Sequence, residues 1–371
     1  MRFTSAQLDA VLGGSGDHYW SADLLYDGER RLQDIPITDP RLREDGGAKI
    51  QQSGSCSVVW QDTFGASMTP RMITDAFAPF GAKLRVYSNV VAGPFRERVA
   101  FGVFDITDVP SARDESMAFR GRTITTGSTI ELEFKEQLAG VQGDDFDVPT
   151  SPSLLASAWD ELGRISGMQL VRAVEDKPIT RTILYPESRL DAIYDLCDVI
   201  LDAIPHTTAD GALAARPKVW PAAVARLRRG PRGQLVKVGD AMSPSGVYNR
   251  VVVRATGSDQ TSILAIAELT SGPLRVKNLD GSRSPFGQRT RYLSSEFVTT
   301  RDQAQAWAES TLAQVSVPRA RVLPVEMTFD PRLERGDVVE IERPGGEVLT
   351  GRIVSIDRSA RATQQLTVEV P

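Results

Sequence analysis

Short segments with alternating apolar and polar residues fill the first third of the chain. In TIELEF, Ile130, Leu132 and Phe134 alternate with glutamates. In VAFGVFDI, Val99, Phe101 and Val103 share one parity. A period of two is typical of strands with one buried face. The Asp-Gly pair at positions 27 and 28 separates two further segments and is typical of hairpin turns. The pattern predicts an N-terminal β-barrel-like domain at residues 1–145.

The next segment, residues 146–232, changes to a helical period. In SPSLLASAWDELGRISG, we expect a helix that Ser151 caps, with Pro152 at its first position and Gly167 at its end. ESRLDAIYDLCDVILDAIP predicts a second amphipathic helix, which Pro205 ends. We therefore expect a helix-containing α/β segment in the middle of the chain.

The second helix of this segment carries acidic residues on one face and apolar residues on the other. Cys197 falls in the apolar stripe, where a packing role is expected. The acidic stripe contains Asp191, Asp195, Asp198 and Asp202. Four carboxylates at helical spacing could attract a cation, but no other ligand type accompanies them, so a solvated face is the preferred interpretation.

Residues 233–371 return to short apolar stretches that predict strands. The six stretches are YNRVVVRAT, SILAIAEL, VEMTFD, DVVEIE, GRIVSID and QLTVEV. Between them, TTRDQAQAWAESTLAQV predicts one helix, with Thr300 and Gln303 as a capping box. This segment is therefore predicted to be a C-terminal β-rich, barrel-like domain with one helix. The fold class is mainly β, with an α/β middle segment.

The tripeptide Arg335-Gly336-Asp337 has the form of an adhesion signal. It lies between the predicted strands VEMTFD and DVVEIE, with a glycine where a turn needs conformational freedom. The Pro344-Gly345-Gly346 turn then returns the chain into the next strand. A turn between strands is thus the preferred interpretation of the tripeptide.

Charge and cysteine content narrow the possible functions. The 371 residues include 43 basic and 48 acidic side chains, for a net charge of −5, which argues against a surface that grips nucleic acid tightly. Two cysteines, Cys56 and Cys197, indicate neither a disulfide framework nor a thiolate metal site. We expect no signal peptide and no membrane-spanning segment, because no apolar run is long enough.

Candidate catalytic groups are few. The two histidines, His18 and His206, lie in no recognisable catalytic context. The run Gly13-Gly14-Ser15-Gly16 lacks the lysine of a phosphate-binding loop and is interpreted as a linker. Cys56 enters a predicted strand without the spacing of a nucleophile elbow.

An acidic loop and three tryptophans are the remaining candidates. Asp144, Asp145 and Asp147 precede a predicted helix, where negative charge is expected in any case, and a metal at this loop is left open. The tryptophans Trp20, Trp60 and Trp220 could form a sugar-binding face, although core or interface positions are commoner in β proteins. We predict no catalytic, cofactor-binding or metal-binding residue and no cofactor.

Several stretches, taken in order, resemble phage tail-tip hub proteins. PVEMTFDPRLERGDVVEIERPGGEVLTGRIVSIDRSARATQQLTVEV is similar to the closing strands of that family. GVYNRVVVRATGSD, the FVTTRDQAQAWAESTLAQV helix and LDAIYDLCDVILDAIPHTTADGALAARP occur in the same order in minor tail proteins of long-tailed actinobacterial phages. FGVFDITDVP followed by TIELEFKEQLAGVQ resembles the family's first barrel. The resemblance covers most of the chain as an order of features, without one diagnostic motif.

The resemblance implies a structural role in the virion. Hub subunits of this family carry two related β-barrel-like domains, so a homotrimer forms a pseudo-sixfold ring that adapts the sixfold tail tube to a threefold tip. The implied partners are the distal tail protein, the tail tube end, the C-terminus of the tape-measure protein and other tail-tip proteins. DNA would cross the ring during ejection without specific nucleic-acid binding. The implied location is the virion tail tip, after synthesis in the host cytoplasm.

A second hypothesis belongs to a different class. Exposed tryptophans and the acidic loop at 144–147 would suit a carbohydrate-binding or cell-wall-degrading tail-tip module. The family resemblance favours the structural reading and no enzymatic activity. Because the 371 residues leave no room for the long C-terminal fibre or lytic extension of some relatives, we expect receptor binding and wall cleavage to belong to other chains.

Overall fold

A computed structural model describes residues 1–14, 16–60, 66–179, 183–240, 246–256, 262–294, 300–316 and 321–371. By its contacts the chain divides into two compact units. The first unit comprises Met1–Gly239 and Pro324–Val368, and the second comprises Asp240–Leu323 and Glu369–Pro371. Each unit is described by itself below.

Six antiparallel strands in the first unit close into a ring. They are β1 (Asp17–Tyr26), β2 (Glu29–Asp45), β3 (Gln52–Trp60), β4 (Ala82–Ala92), β5 (Phe95–Phe119) and β6 (Arg122–Glu136). The pairing runs β1-β4-β5-β6-β3-β2, and β2 pairs again with β1. The β1–β2 turn is the predicted Asp27-Gly28 pair, whose φ angles of 51° and 74° require the left-handed region. A ring of this kind leaves no free sheet edge along its paired length.

The ring encloses an apolar core that the alternating pattern produces. Ile130, Leu132 and Phe134 of β6 are all buried there, as predicted. Trp20 and Phe101 lie at the same core with ring centroids 4.7 Å apart. A short helix, α1 (Ala6–Leu12), packs outside the ring through Leu8.

A mixed helix and strand segment follows the ring. It contains α2 (Leu138–Gln142), α3 (Ala158–Ser166), β7 (Leu170–Val171), α4 (Arg189–Asp195), a π-helical turn (Leu196–Ile200), β8 (Ala203–Thr207) and β9 (Leu213–Pro217). The strands form a small sheet in the order β7-β9-β8. The helices bury Trp159, Ile193 and Cys197 in a shared core, which confirms the packing role expected for the cysteine.

Two helix boundaries differ from the sequence prediction. Helix α3 begins at Ala158 rather than near Ser151, because Ser157 is the residue whose hydroxyl caps it, accepting from Asp160 N at 3.0 Å. Its end at Gly167 is confirmed, with a φ of 64°. The second predicted helix ends earlier than expected: a π-helical turn follows α4, and Pro205 lies within strand β8.

A second set of strands continues the same sheet. It consists of β10 (Ala225–Leu227), β11 (Leu235–Val238), β15 (Arg321–Thr328), β16 (Val338–Glu342), β17 (Val348–Ser359) and β18 (Thr363–Val370). The order is β10-β16-β17-β18-β15-β11, and β17 also pairs with β2 of the ring. The strands β16, β17 and β18 form a meander, and β16 and β17 pair on either side of the predicted Pro344-Gly345-Gly346 turn. The preceding strand β15 pairs with β18 rather than with β16.

The second unit is a three-stranded sheet with one helix. It contains β12 (Arg250–Thr256), β13 (Ser262–Glu268), β14 (Thr290–Ser294) and α5 (Arg301–Val315). The central strand β12 is antiparallel to β13 and parallel to β14. Ala304 and Ala308 of α5 are buried against this sheet. The capping box predicted for Thr300 and Gln303 is confirmed, with both hydrogen bonds at 3.3 Å.

A mainly β chain with a ring-shaped sheet is thus confirmed. The predicted domains 1–145, 146–232 and 233–371 differ from the two contact units and stay a prediction about folding units. The assignment as two barrel-like domains of the tail-hub type, with an α/β middle segment, stays a prediction. No helix in the described part of the chain is long and apolar enough to cross a membrane.

Candidate functional site

The six-stranded ring and the second set of strands are joined along one seam. At this seam, the C-terminal half of β2 pairs antiparallel with β17, from Arg41 opposite Ser359 to Asp45 opposite Ser355. Strand β2 also pairs with β3 over the same residues. Five consecutive residue pairs fix both the distance and the register between the two sets of strands.

A buried carboxylate lies at the centre of the seam. Glu44 is 1% exposed and accepts hydrogen bonds from Arg358 Nη1 at 2.5 Å and Arg2 Nη2 at 3.1 Å. The backbone N–H of Arg335 donates to its other oxygen at 3.2 Å. Burial raises the pKa of Glu44, but Arg358, Arg2 and Arg335 outweigh burial and hold that pKa well below its usual range. We call Arg2, Glu44, Arg335 and Arg358 the Glu44 cluster.

The Glu44 cluster also holds the connection between β15 and β16. Arg2 Nη1 donates to the carbonyls of Pro331 and Leu333 at 3.0 and 2.8 Å, and Arg358 Nη2 donates to that of Leu333 at 2.5 Å. These bonds satisfy backbone carbonyls that would otherwise be buried without a partner. The connection is therefore fixed to the seam by side chains from distant parts of the sequence.

The tripeptide Arg335-Gly336-Asp337 lies within this buried connection. Arg335 and Asp337 are 5% and 8% exposed, and Gly336 has a φ of 88° in a turn. A Cβ at Gly336 would lie 2.9 Å from Arg216 Cδ, so the position requires glycine on both counts. The prediction of a turn is confirmed, and a buried tripeptide is inaccessible to a receptor.

A second buried carboxylate, Glu136, lies at the end of β6. It is fully buried and accepts hydrogen bonds from Gln51 N at 2.5 Å and Thr207 Oγ1 at 2.6 Å. Burial raises the pKa of Glu136, and the hydrogen bond from Thr207 opposes that shift. These bonds tie the end of β6 to strand β8.

A polar groove of about 740 Å³ opens on the first unit. Residues of β2, β3, β6, β17 and β18 line it, among them Arg41, Arg43, Glu133, Lys135 and Asp357. Its lining contains neither histidine nor cysteine. The side chains suit polar contacts with another molecule and offer no nucleophile paired with a base.

Comparisons with known proteins bear on this fold. No family model and no curated protein matches the sequence. Solved structures that are similar over nearly all of it include two tail proteins. A tail protein from Neisseria meningitidis MC58 has a TM-score of 0.55 at 12% identity, over 95% of this chain and 96% of that one. The 43 kDa tail protein of prophage MuSo2 from Shewanella oneidensis has a TM-score of 0.54 at 12% identity, over 95% and 98%.

The chain shares the fold of these tail proteins. At 12% identity, the likeness establishes the fold and carries no residue assignments. The tail-protein fold includes both the ring and the strands beyond the seam, because the match extends over 95% of the chain.

The acidic residues singled out in the sequence lie at the surface of the tail-protein fold. Asp144, Asp145 and Asp147 are exposed, and Asp144 lies 3.5 Å from Arg189. In the helical stripe, Asp198 and Asp202 lie 2.9 and 3.1 Å from Lys218 Nζ. Asp191 pairs with Lys49. Within the described ranges, no three His, Cys, Asp or Glu side chains are arranged to hold a metal.

The two histidines occupy structural positions. The ring of His18 stacks on Phe329, with centroids 3.9 Å apart and planes 5° apart. Burial lowers the pKa of His18, and the nearby Asp17 opposes that effect. Burial, then Arg216 and Arg335, holds the pKa of His206 well below its usual range. The Nδ1 of His206 and the Nε2 of His18 are buried without a hydrogen-bond partner among the described residues.

The cysteines and tryptophans mainly serve packing. Cys56 and Cys197 are free and buried, and burial raises the pKa of each thiol to about 12. Trp20 is 3% exposed, and Trp60 packs against the same core. The guanidinium of Arg352 covers Trp220, 5.3 Å from the ring centroid. Of the run at 13–16, Gly13 caps α1 and Ser15 lies outside the described residues.

Sequence reasoning missed the Glu44 cluster entirely. Its members lie at positions 2, 44, 335 and 358, and no spacing rule connects them. The only regularity that involves them is seen in the structure, where Glu44 and Arg358 lie at buried positions of the alternating strands β2 and β17.

Proposed function

We propose that the protein is a structural component of a phage tail tip, in the baseplate hub, and that three copies form a ring. The main support is the tail-protein fold, which covers 95% of the chain at TM-scores of 0.55 and 0.54. Each chain would supply two β-barrel-like domains, the closed ring and the strands beyond the seam. Three chains would then present six such domains to a sixfold tail tube.

The seam supports this proposal on geometric grounds. A closed ring of subunits requires a fixed rotation between successive domains, since a variable angle gives open or irregular assemblies. Within one chain, the β2–β17 pairing and the Glu44 cluster hold one set of strands against the other. The best-supported role of buried ionic groups is to specify one geometry, and their net contribution to stability is small.

The finer parts of the proposal follow from the family resemblance. The partners would be the distal tail protein, the tail tube end, the tape-measure C-terminus and other tail-tip proteins. The protein would be made in the host cytoplasm and located at the virion tail tip, with DNA crossing the ring during ejection. We also propose that the phage is a long-tailed phage of actinobacteria.

We further propose that the protein has no enzymatic activity. The aspartates at 144–147 are exposed and belong to no group of three that could hold a metal among the described residues, Trp20 is buried, and the lining of the polar groove contains neither histidine nor cysteine. Hydrolysis of cell-wall glycan by the purified protein would contradict this part of the proposal.

The native mass of the concentrated protein tests the ring directly. We expect a species of three times the 40.5 kDa chain mass, with pseudo-sixfold symmetry when imaged. If the protein is monomeric alone, addition of its tail tube protein should recruit three copies per tube end. A chain that stays monomeric with the tube present would refute the ring.

A further inference from the structure

An arginine-rich loop connects β10 to β11. Residues 228–234 read RRGPRGQ, and Arg226 precedes them on β10. Arg226, Arg228, Arg229 and Arg232 are all exposed. The net charge of the whole chain is −5, so this loop is a local basic surface on an acidic protein.

The backbone of the arginine loop, residues 226–234, is fixed by its own contacts. Gly233 N donates to Gly230 O at 2.8 Å, and Leu235 N donates to Arg228 O at 3.0 Å. Gly230 and Arg232 have φ angles of 99° and 59°. A Cβ at Gly233 would lie 2.8 Å from the carbonyl carbon of Arg229, so the chain passes close to itself. A preformed loop loses less conformational entropy on binding than a flexible one.

Three guanidinium groups of this loop have no carboxylate partner in the part of the chain that the structure describes. The loop borders a cleft of about 460 Å³ lined by Arg226, Arg228, Arg232, Gln234 and Glu342. Arg226 pairs with Glu342 at 3.3 Å. Among the described residues, no carboxylate pairs with Arg228, Arg229 or Arg232. The planar donor array of arginine matches the oxygens of a phosphate group, so the loop presents several unused phosphate-binding groups.

We propose that the arginine loop binds the phosphate backbone of duplex DNA without reading its base sequence. Residues 228–234 contain no aromatic or large aliphatic side chain, which a membrane-inserting surface requires. Arginine is enriched in the hot spots of protein interfaces, but the tryptophan and tyrosine that are enriched there with it are absent from residues 228–234. Contacts to phosphate alone give weak, sequence-independent binding, which agrees with an acidic chain that holds no nucleic acid tightly.

Salt dependence measures the number of phosphate contacts. With three arginines engaged, the logarithm of the binding constant should fall with the logarithm of salt concentration at a slope of about −2.7. With this slope, raising the salt concentration from about 50 to 200 mM lowers the affinity about 40-fold. Fluorescence anisotropy of a short labelled duplex, titrated with the full-length protein, gives both quantities.

A matched pair of triple variants tests the assignment. One variant replaces Arg228, Arg229 and Arg232 by alanine. The control replaces Arg31, Arg113 and Arg172, which are equally exposed and each pair with a nearby carboxylate. Both variants lose three positive charges. We expect the loop variant to lose at least about tenfold in affinity at the lowest salt and to show a weaker dependence of affinity on salt. The control variant should keep most of the wild-type affinity and most of the wild-type salt dependence.

Three probes distinguish the phosphate backbone from other polyanions. Phosphatidylserine vesicles, poly-glutamate and inorganic phosphate at equal ionic strength should each compete poorly with duplex DNA. Preferential binding of the vesicles or of poly-glutamate through the loop would overturn the proposal, as would displacement of DNA by inorganic phosphate. Equal losses in both variants, or no wild-type binding at the lowest salt, would also overturn it. None of these outcomes depends on whether the protein forms a ring.

Discussion

The ring core and the Glu44 cluster are two buried regions of one unit that are built on opposite principles. The core takes its residues from local alternation along each strand, and nearly all of them are apolar. The cluster joins four charged residues from positions 2 to 358 and buries them beside the same sheet. The comparison shows that local pattern is enough to build a core, whereas the fixed join between two sets of strands depends on tertiary contacts.

The two regions should also fail differently. Substitutions in an apolar core lower the free energy of unfolding in proportion to the side-chain volume that is removed or forced in. A buried charge network fails abruptly, because removing one member leaves the others buried and unpaired. Substitutions matched within each region make this contrast measurable.

The largest expected effect is that of Glu44→Gln. The neutral amide removes the carboxylate that pairs with buried Arg358 and leaves buried Arg2 with only Glu334, 3.7 Å from its Nε. We expect a loss of about 3–5 kcal/mol in the free energy of unfolding, measured by urea denaturation.

The control for Glu44→Gln is Glu133→Gln. Glu133 lies on β6 of the same sheet, at an exposed position that lines the polar groove. Its substitution should change stability by less than about 0.5 kcal/mol. A Glu44→Gln loss as small as that of the control would show that the cluster contributes no more than surface charges.

The next largest effect is expected for Gly54→Ala in the ring. A Cβ at Gly54 would lie 2.6 Å from Phe134 Cε2 and also against the carbonyl of Arg41. We expect a loss of about 1–3 kcal/mol from overpacking. In Gly140→Ala, the new Cβ meets nothing closer than 3.5 Å, and a helix gains from alanine, so this control should be neutral or stabilising. Equal thermal midpoints for the two variants would contradict the tight packing of β3 on β6.

Much of the fold follows from the sequence because short-range rules produce it. Alternation located segments of β5 and β6 in the ring, the Asp27-Gly28 turn and the capping box at Thr300 formed as predicted, and the Arg335-Gly336-Asp337 tripeptide is a turn. Each of these features depends on residues within a few positions of one another.

The rest of the structure depends on contacts that no local rule contains. Pro205 was expected to end a helix, but it lies in β8 because the chain pairs there with β9, an interaction visible only in the tertiary structure. The closure of the ring by β1 and β2 and the assembly of the Glu44 cluster are of the same kind. The run of basic residues in the arginine loop is visible in the sequence. That these arginines lack carboxylate partners among the described residues is visible only in the structure.

The smallest effect is expected for Glu136→Gln, and it is a change in how stability depends on pH. This change gives the sharpest contrast between the two buried carboxylates. Burial raises the pKa of Glu136 above 4.5, so its folded form resists ionisation. Its contribution to stability is therefore fully present below pH 4.5 and is lost as the pH rises through the raised folded value. For Glu44, whose pKa is lowered, the stabilisation is present above pH 4.5 and is lost as the pH falls.

Thermal midpoints from pH 4 to pH 7 separate the two carboxylates. The advantage of wild type over Glu136→Gln should shrink as the pH rises, and the advantage over Glu44→Gln should be retained or grow. If both differences in thermal midpoint change with pH in the same direction, the two carboxylates have the same kind of environment. The distinction between a charge-paired carboxylate at the seam and a buried one at the end of β6 is then wrong. If the two differences in thermal midpoint change with pH in opposite directions, the ionised, arginine-bound carboxylate is Glu44 at the seam and not Glu136.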